Sequence, residues 1–323
     1  MIAHKKDIGL LVLILLVGTV VGYINPLFLS PINLANTSNL IGLFGIFAIG
    51  QAIVIMTGGI DLSVGSVIAL LGVLFVDLLA NVGVPWPLAV VLMPLLGVAI
   101  GLIHGVLIVK FRIQPFIVTL CGLLIYRGIA RSYTADATAG FGFGQSFPTL
   151  EWLTVGRSFG VPHSFMALLL IAVVMWIVLH RSVLGRYLYA VGKNEEAARY
   201  SGINTDAVVI SAYVICSFLT AISAVFFAMY TRSISPSSHG NFYELYAIAA
   251  AVLGGFSLRG GEGSIVGVVL GAVLLQVLQN LVNLLGIPSS LNFAVMGAVI
   301  LIGVLVDSQL TKLRSMFSTR SRG

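Results

Sequence analysis

An all-α polytopic membrane protein of about ten transmembrane helices is the fold that this 323-residue chain predicts, on three observations. Hydrophobic residues make up 59% of it and charged residues 9%, whereas a soluble domain has about a quarter charged. Its polar groups are therefore too few to cover a surface in water. Runs near the length of about 20 apolar residues that a helix needs to cross hydrocarbon recur along the chain. These runs are apolar on every side, whereas barrel strands would alternate over about 10 positions.

Breakers and charges divide the chain into spans at 8–25, 34–57, 62–80, 88–109, 113–133, 162–180, 206–230, 244–257, 264–285 and 290–307. The first run, Ile8 to Tyr23, follows His4-Lys5-Lys6 as a signal peptide would. No small-residue cleavage site comes after it, so it reads as an uncleaved first helix. The eighth is short for a crossing and is tilted, broken or extended at its start. Cys121 and Cys216 both fall inside apolar runs, so no disulfide framework is indicated.

Lys and Arg gather in cytoplasmic loops. With the amino terminus inside, Lys5, Lys6, Lys110, Arg112, Arg181, Arg186, Lys193, Arg199, Arg259, Lys312, Arg314, Arg320 and Arg322 are internal. Only Arg127, Arg131, Arg157 and Arg232 face out, so both termini are expected in the cytoplasm. The net charge of +6 thus reports orientation and not nucleic-acid binding. One transmembrane domain covers 1–323, with a cytoplasmic connection at 181–205 and an outer loop at 134–161, rich in Gly, Ser and Phe.

Catalytic signatures are missing. A phosphate-binding loop needs G-x-x-x-x-G-K-[ST], but Gly192-Lys193 has Tyr187 in place of the first glycine and Asn194 after the lysine. None of the five histidines belongs to an H-E-x-x-H, and no G-x-S-x-G elbow has a histidine partner. Neither a metal site nor an enzyme is expected. Asp61, Asp77 and Glu244 fall at span ends and not at mid-membrane, which argues against an ion-coupled secondary carrier.

The stretch GRYLYAVGKNEEAARYSGIN, 185–204, is unusually charged for this chain. Gly185 and Gly192 interrupt helix, Asn194 caps a new one, Glu195 and Glu196 suit its positive end and Arg199 its negative end. Gly202 terminates it. The product is a two-turn helix on the cytoplasmic side, either a solvated connector or a peg for another protein. In GGIDLSVGS, 58–66, Asp61 is a cap for Ser63 or Val64, with Gly58 and Gly59 allowing an unusual backbone, or it lines an inner gate.

In the ninth span Gly263, Gly267 and Gly271 share one face, suited to close helix packing. Gln276, Gln279, Asn280 and Asn283 share a nearly opposite one. Amides both donate and accept, which suits a path for an uncharged polyol. They equally suit bonds to neighbouring helices. Gly97, Gly101 and Gly105 make a second packing stripe. FAIGQAIVIMTGGIDL at 47–62 echoes YAIAAAVLGGFSL at 246–258, each ahead of a Gly-Ser pair, as duplicated transporter halves would.

GGIDLSVGS, GRYLYAVGKNEEAARYSGIN and ELYAIAAAVLGGFSLRGGEGSIVGVVLGAVL at 244–274, in this order, resemble the permease subunits of bacterial ABC sugar importers. The similar members are those for ribose, xylose, arabinose, galactose, rhamnose and autoinducer-2. The resemblance implies an inner-membrane permease that pairs with a second permease chain, identical or not, amid lipid. It also implies an ABC ATPase with two nucleotide-binding modules, which holds ATP and Mg, and a periplasmic substrate-binding protein.

By the same resemblance the 185–204 helix is a coupling helix. Gly192, Asn194, Ala197, Ala198 and Gly202 shape it, and Glu195 and Arg199 are polar contacts to the ATPase. Relatives often carry a small residue where Lys193 stands, which argues against a direct role for that lysine. In the outer loop Phe141, Phe143, Phe147 and Trp152 cover the pore mouth, meet the binding protein or anchor at the interface. Arg127 and Arg131, one turn apart, suit acids on that protein, or Arg127 only snorkels. The alternatives are an ion-coupled carrier and an ABC permease for branched-chain amino acids.

Overall fold

Twelve α-helices form in the computed structural model, which describes residues 2–142 and 144–288 with isolated positions beyond. The predicted tenth span, 290–307, lies outside the described residues except for such isolated positions. Among the described residues, seven helices are long and apolar enough to cross a membrane. They are α1 (Ile2–Ile24), α2 (Pro31–Met56), α4 (Trp86–Lys110), α5 (Pro115–Tyr133), α7 (His163–Arg181), α10 (Thr205–Thr231) and α12 (Ile265–Leu284). Shorter apolar helices are α3 (Val64–Ala80) and α11 (Tyr243–Leu253).

The core is built on α2. It opens with Pro31 after Ser30, whose hydroxyl accepts from Asn33 N–H (3.3 Å). Apolar all round, it is buried all round, without an exposed residue from Gly45 to Met56. The α10 helix runs along it, and Ser223 donates to Leu43 O (2.7 Å). The predicted stripe on α4 seats against α10: a Cβ on Gly97, Gly101 or Gly105 would lie 2.5–2.8 Å from the nearest backbone atom of Ser217, Tyr213 or Ile210. In lipid, where burial of apolar surface drives no helix together, such close backbone approach holds a bundle. The outward faces of α1, α5 and α7 carry Leu15, Ile125 and Leu170 bare, which suits contact with lipid.

The 134–161 loop is strapped down more firmly than its glycines imply. It contains α6 (Pro148–Val155), a strand β1 (Ala139–Gly140) paired antiparallel with β4 (Ser233–Ile234), and a hairpin of β2 (Arg157–Ser158) with β3 (Val161–Pro162). Gln145 donates to Ala80 O (2.9 Å), and Arg232 bonds Glu151 Oε1 (2.8 Å) and Gln145 O (2.9 Å). Phe141 and Phe147 pack on each other (5.5 Å between ring centroids) with the Arg232 guanidinium over Phe141 (5.7 Å), and Trp152 meets His163 (4.8 Å). Phe143 lies outside the described residues.

The eighth span is broken. Tyr243, at the start of α11, stacks on Phe47 (5.9 Å) and touches Phe44 (4.8 Å), halfway along α2. Above it, residues 235–242 descend without helical structure until Gly240 abuts the Gly65 carbonyl in the first turn of α3. Pro236 and Gly240 discourage helix there. The expectation that Glu244 lies at an outer helix end is therefore corrected: it is buried deep in the bundle.

Candidate functional site

The charged connection folds into α8 (Val183–Lys193) and α9 (Glu195–Tyr200). Contrary to expectation, neither Gly185 nor Gly192 interrupts α8. Ser182 caps it by accepting from Gly185 N–H (3.1 Å), and both glycines lie within it where backbone approaches closely. The break falls at Asn194, extended at φ −163°, whose Oδ1 accepts from Ala197 N–H (2.9 Å). Gly202, at φ 84°, closes α9 while Ile203 N–H returns to Ala198 O (3.1 Å).

Ala198 is the buried residue of α9. Glu195, Glu196, Ala197, Arg199 and Tyr200 are exposed. Arg199 bonds Glu195 (2.8 Å) and, through Nη2, Thr205 Oγ1 (2.9 Å) at the first turn of α10. Exposed ion pairs contribute about 0–1 kcal/mol, so Ala198 and the backbone closure hold the helix more than Arg199 does.

From this helix the chain connects inward at one junction. Gly192 touches Met56 O at the end of α2 and Gly261 N in the 254–264 turn between α11 and α12, leaving no room for a side chain. Gly261 N–H itself donates to Met56 O (2.9 Å). Tyr189 donates to Gly263 O (2.7 Å), and Lys193 pairs with Glu262 (2.5 Å). Lys193 thus pairs across the two connections within the chain. Gly58, in the first of the two echoing stretches, lies against Arg259 O just past the end of the second, and Gly59 stands beside the Tyr213 hydroxyl.

Asp61 is buried just beyond that junction. Its Oδ1 accepts from Ser63 N–H (2.8 Å) and Ser63 O–H (2.7 Å), and its Oδ2 lies 3.8 Å from His104 Nδ1. Gln51, with its amide oriented as its neighbours require, accepts from Asp61 N–H (3.1 Å) and donates to Asp61 C=O (3.0 Å). Thr119 donates to Ile60 O (3.2 Å), and Tyr126 and His104 share a bond of 2.9 Å. The 57–63 turn is therefore fixed to α2, α4 and α5 by buried polar contacts, the kind that are costly to break.

The amide face of α12 divides. Asn280 makes reciprocal bonds with Asn33 on α2 (2.8 and 3.0 Å). Gln276 is 3% exposed and lines a small cavity with Phe44, Phe47 and Tyr246. Gln279 keeps a buried Oε1 without a partner, and Asn283 is exposed. On the other face Gly271 seats against the carbonyl of Ala250 on α11, Gly267 against that of Gly254 just past its end, and Gly263 against the Phe256 ring.

Gln51, His104, Tyr126, Tyr189 and Arg127 were not singled out as parts of these contacts from sequence. A polar side chain within an apolar span was the available signal. Arg127, expected to meet a delivery protein or only to snorkel, donates to Pro236 O (2.7 Å) and His239 O (2.6 Å) within the chain.

Comparison with known proteins bears on the whole chain. The family described as "Branched-chain amino acid transport system / permease component" matches residues 33–304. The ribose import permease protein RbsC of Escherichia coli K12 is 40% identical over 306 residues, 95% of this chain and 94% of that one. RbsC of Bacillus subtilis 168 is 38% identical, over 93% of this chain and 91% of its own. The galactofuranose transporter permease protein YtfT of Escherichia coli K12 is 35% identical, over 88% and 81%. No solved structure matches the chain.

Proposed function

The chain belongs to the branched-chain amino acid transport system permease family, and from that membership we infer how its parts divide the work of an ABC sugar importer. It is a multi-pass permease of the bacterial inner membrane. Its cargo is a monosaccharide or similarly small polyol, a reading supported by relatives named for ribose, galactofuranose and fructose. The family description also speaks of branched-chain amino acids, the alternative cargo.

Ten spans with both termini in the cytoplasm are supported by the sorting of Lys and Arg. The 181–205 connection then lies inside and the 134–161 loop outside. Two permease chains, alike or different, enclose the path. An ABC ATPase with two nucleotide-binding modules holds ATP and Mg²⁺ and receives α9, and a periplasmic protein delivers the sugar. This chain contributes passage and motion and no covalent chemistry. Glu195, Ala197 and Arg199 are the surface offered to the ATPase; Asn194, Ala198 and Gly202 shape it.

The observation that carries this reading is Gly192 against Met56 O and Gly261 N. A push on α8 and α9 has no slack before it reaches the inner ends of α2, α11 and α12, because interiors are close-packed and transmit strain. The deep Glu244 favours one second reading, an ion-coupled carrier. Vesicles holding the permease and its ATPase separate the two. Sugar uptake that needs ATP and survives an uncoupler supports the importer; uptake that collapses with the uncoupler and persists without ATP supports the carrier.

A further inference from the structure

Residues 235–242 occupy a depth at which an ordinary span would meet lipid, yet they expose polar groups. The depth is fixed from two sides: Tyr243 stacks on the middle of α2, and Gly240 abuts Gly65 of α3. Ser237, Ser238 and Asn241 are nonetheless exposed. Non-helical backbone at membrane depth is tolerated only inside protein or along a water-filled path. Bare hydroxyls and amides there do not face hydrocarbon for the same reason.

The segment is held to present this face. Arg127 of α5 takes the carbonyls of Pro236 and His239, and His239 Nδ1 accepts from Ser235 N–H (3.1 Å). Asn241 spends its Nδ2 on Ser237 O (3.0 Å), which leaves its Oδ1 to accept. Phe242, at φ 64°, is held in a left-handed conformation that is uncommon for an aromatic residue, half exposed beside Asn241. Such strain persists where the surroundings impose it, often at ligand contacts.

We propose that residues 237–242 are the station at which the permeating molecule is met inside the membrane, a proposal that rests on the sugar-permease reading above. Ser238 and Asn241 exchange hydrogen bonds with the hydroxyls of an uncharged polyol, and the Phe242 ring faces its C–H surface. The exposed side chains of Ser237, Ser238 and Asn241 are uncharged, which suits a neutral solute.

The test uses the assembled importer with Cys121 replaced by Ser and D-ribose as the probe sugar. Ser238→Cys and Asn241→Cys are treated with a membrane-impermeant thiol reagent, beside Leu170→Cys on the bare face of α7. Modification at 238 and 241 at least about tenfold faster than at 170, with loss of uptake once modified, is the expected result. Reactivity no greater than at 170, or rapid modification that leaves uptake intact, overturns the proposal. Ser237→Cys carries the same test should either variant fail to assemble. If the parent assembly takes up no D-ribose, the uptake arm is read with D-galactose or D-fructose; uptake of none of the three defeats the cargo reading, while thiol reactivity still reports whether the segment lines a wet path.

Discussion

Gly192 and the carbonyl oxygen of Met56 lie so close that not even a methyl group fits between them. The α8 helix and the end of α2 are thereby in direct backbone contact, with no space between them.

Gly192→Ala must separate them. Overpacking of this kind costs about 1–3 kcal/mol, and the added methyl also meets Gly261 N. The variant is expected to insert in the membrane, melt lower in detergent, and lose most sugar uptake while the ATPase still turns over. Uptake and phosphate release measured on the same vesicles check this.

The Glu195→Ala/Arg199→Ala pair removes the exposed polar contacts of α9 but leaves Ala198 and the Asn194 cap in place. The expected outcome is normal insertion with at least about tenfold weaker coupling of hydrolysis to uptake, the scale of a lost charged contact. Arg199→Ala alone also frees Thr205, and a smaller loss is expected from Glu195→Ala alone.

Arg127→Gln withdraws the cation that holds the 235–242 segment by two carbonyls. Bonds to charged groups contribute about 1.5–3 kcal/mol each, so faster amide exchange confined to 235–242 is expected, with uptake reduced. Arg127→Lys, a point charge without the planar fork, should recover only part of it.

Glu151 in the 134–161 loop is held below the usual carboxylate range by its bond to Arg232, helped by Phe147 N–H. Its folded value is depressed, so its contribution is complete above the unfolded value of about 4.3 and lost as pH falls through the folded one. The pair is partly solvated, and about 1 kcal/mol or less is expected. Melting of the parent and of Glu151→Gln, compared from neutral pH downward, should differ by a constant amount until about pH 4 and converge below it.

These contacts show what the sequence made legible. Seven of the predicted spans coincide with long apolar helices among the described residues, because apolar length depends on the bilayer and little else. The α9 helix was readable because Asn194, Glu195, Arg199 and Gly202 act locally, within one or two turns. The glycine stripes on α4 and α12 were readable because small residues on one face serve only close approach. Other features depend on residues far apart in the chain. Gly192 reads as a helix breaker until Met56 and Gly261 are brought against it. Glu244 reads as a surface acid until α11 is seen to begin halfway down the bundle. The amides of α12 share a periodicity, but only the fold separates Asn280, tied to Asn33, from Gln276 beside its aromatic cavity.

The most direct measurement places a photoreactive phenylalanine derivative at Tyr200, an exposed residue of α9, in cells making the whole importer. Irradiation is expected to join this chain to the ATPase subunit, with a yield that changes between nucleotide-free and ATP-trapped states. An adduct to the periplasmic protein, or no adduct while position 200 reacts freely with solvent, would contradict the account.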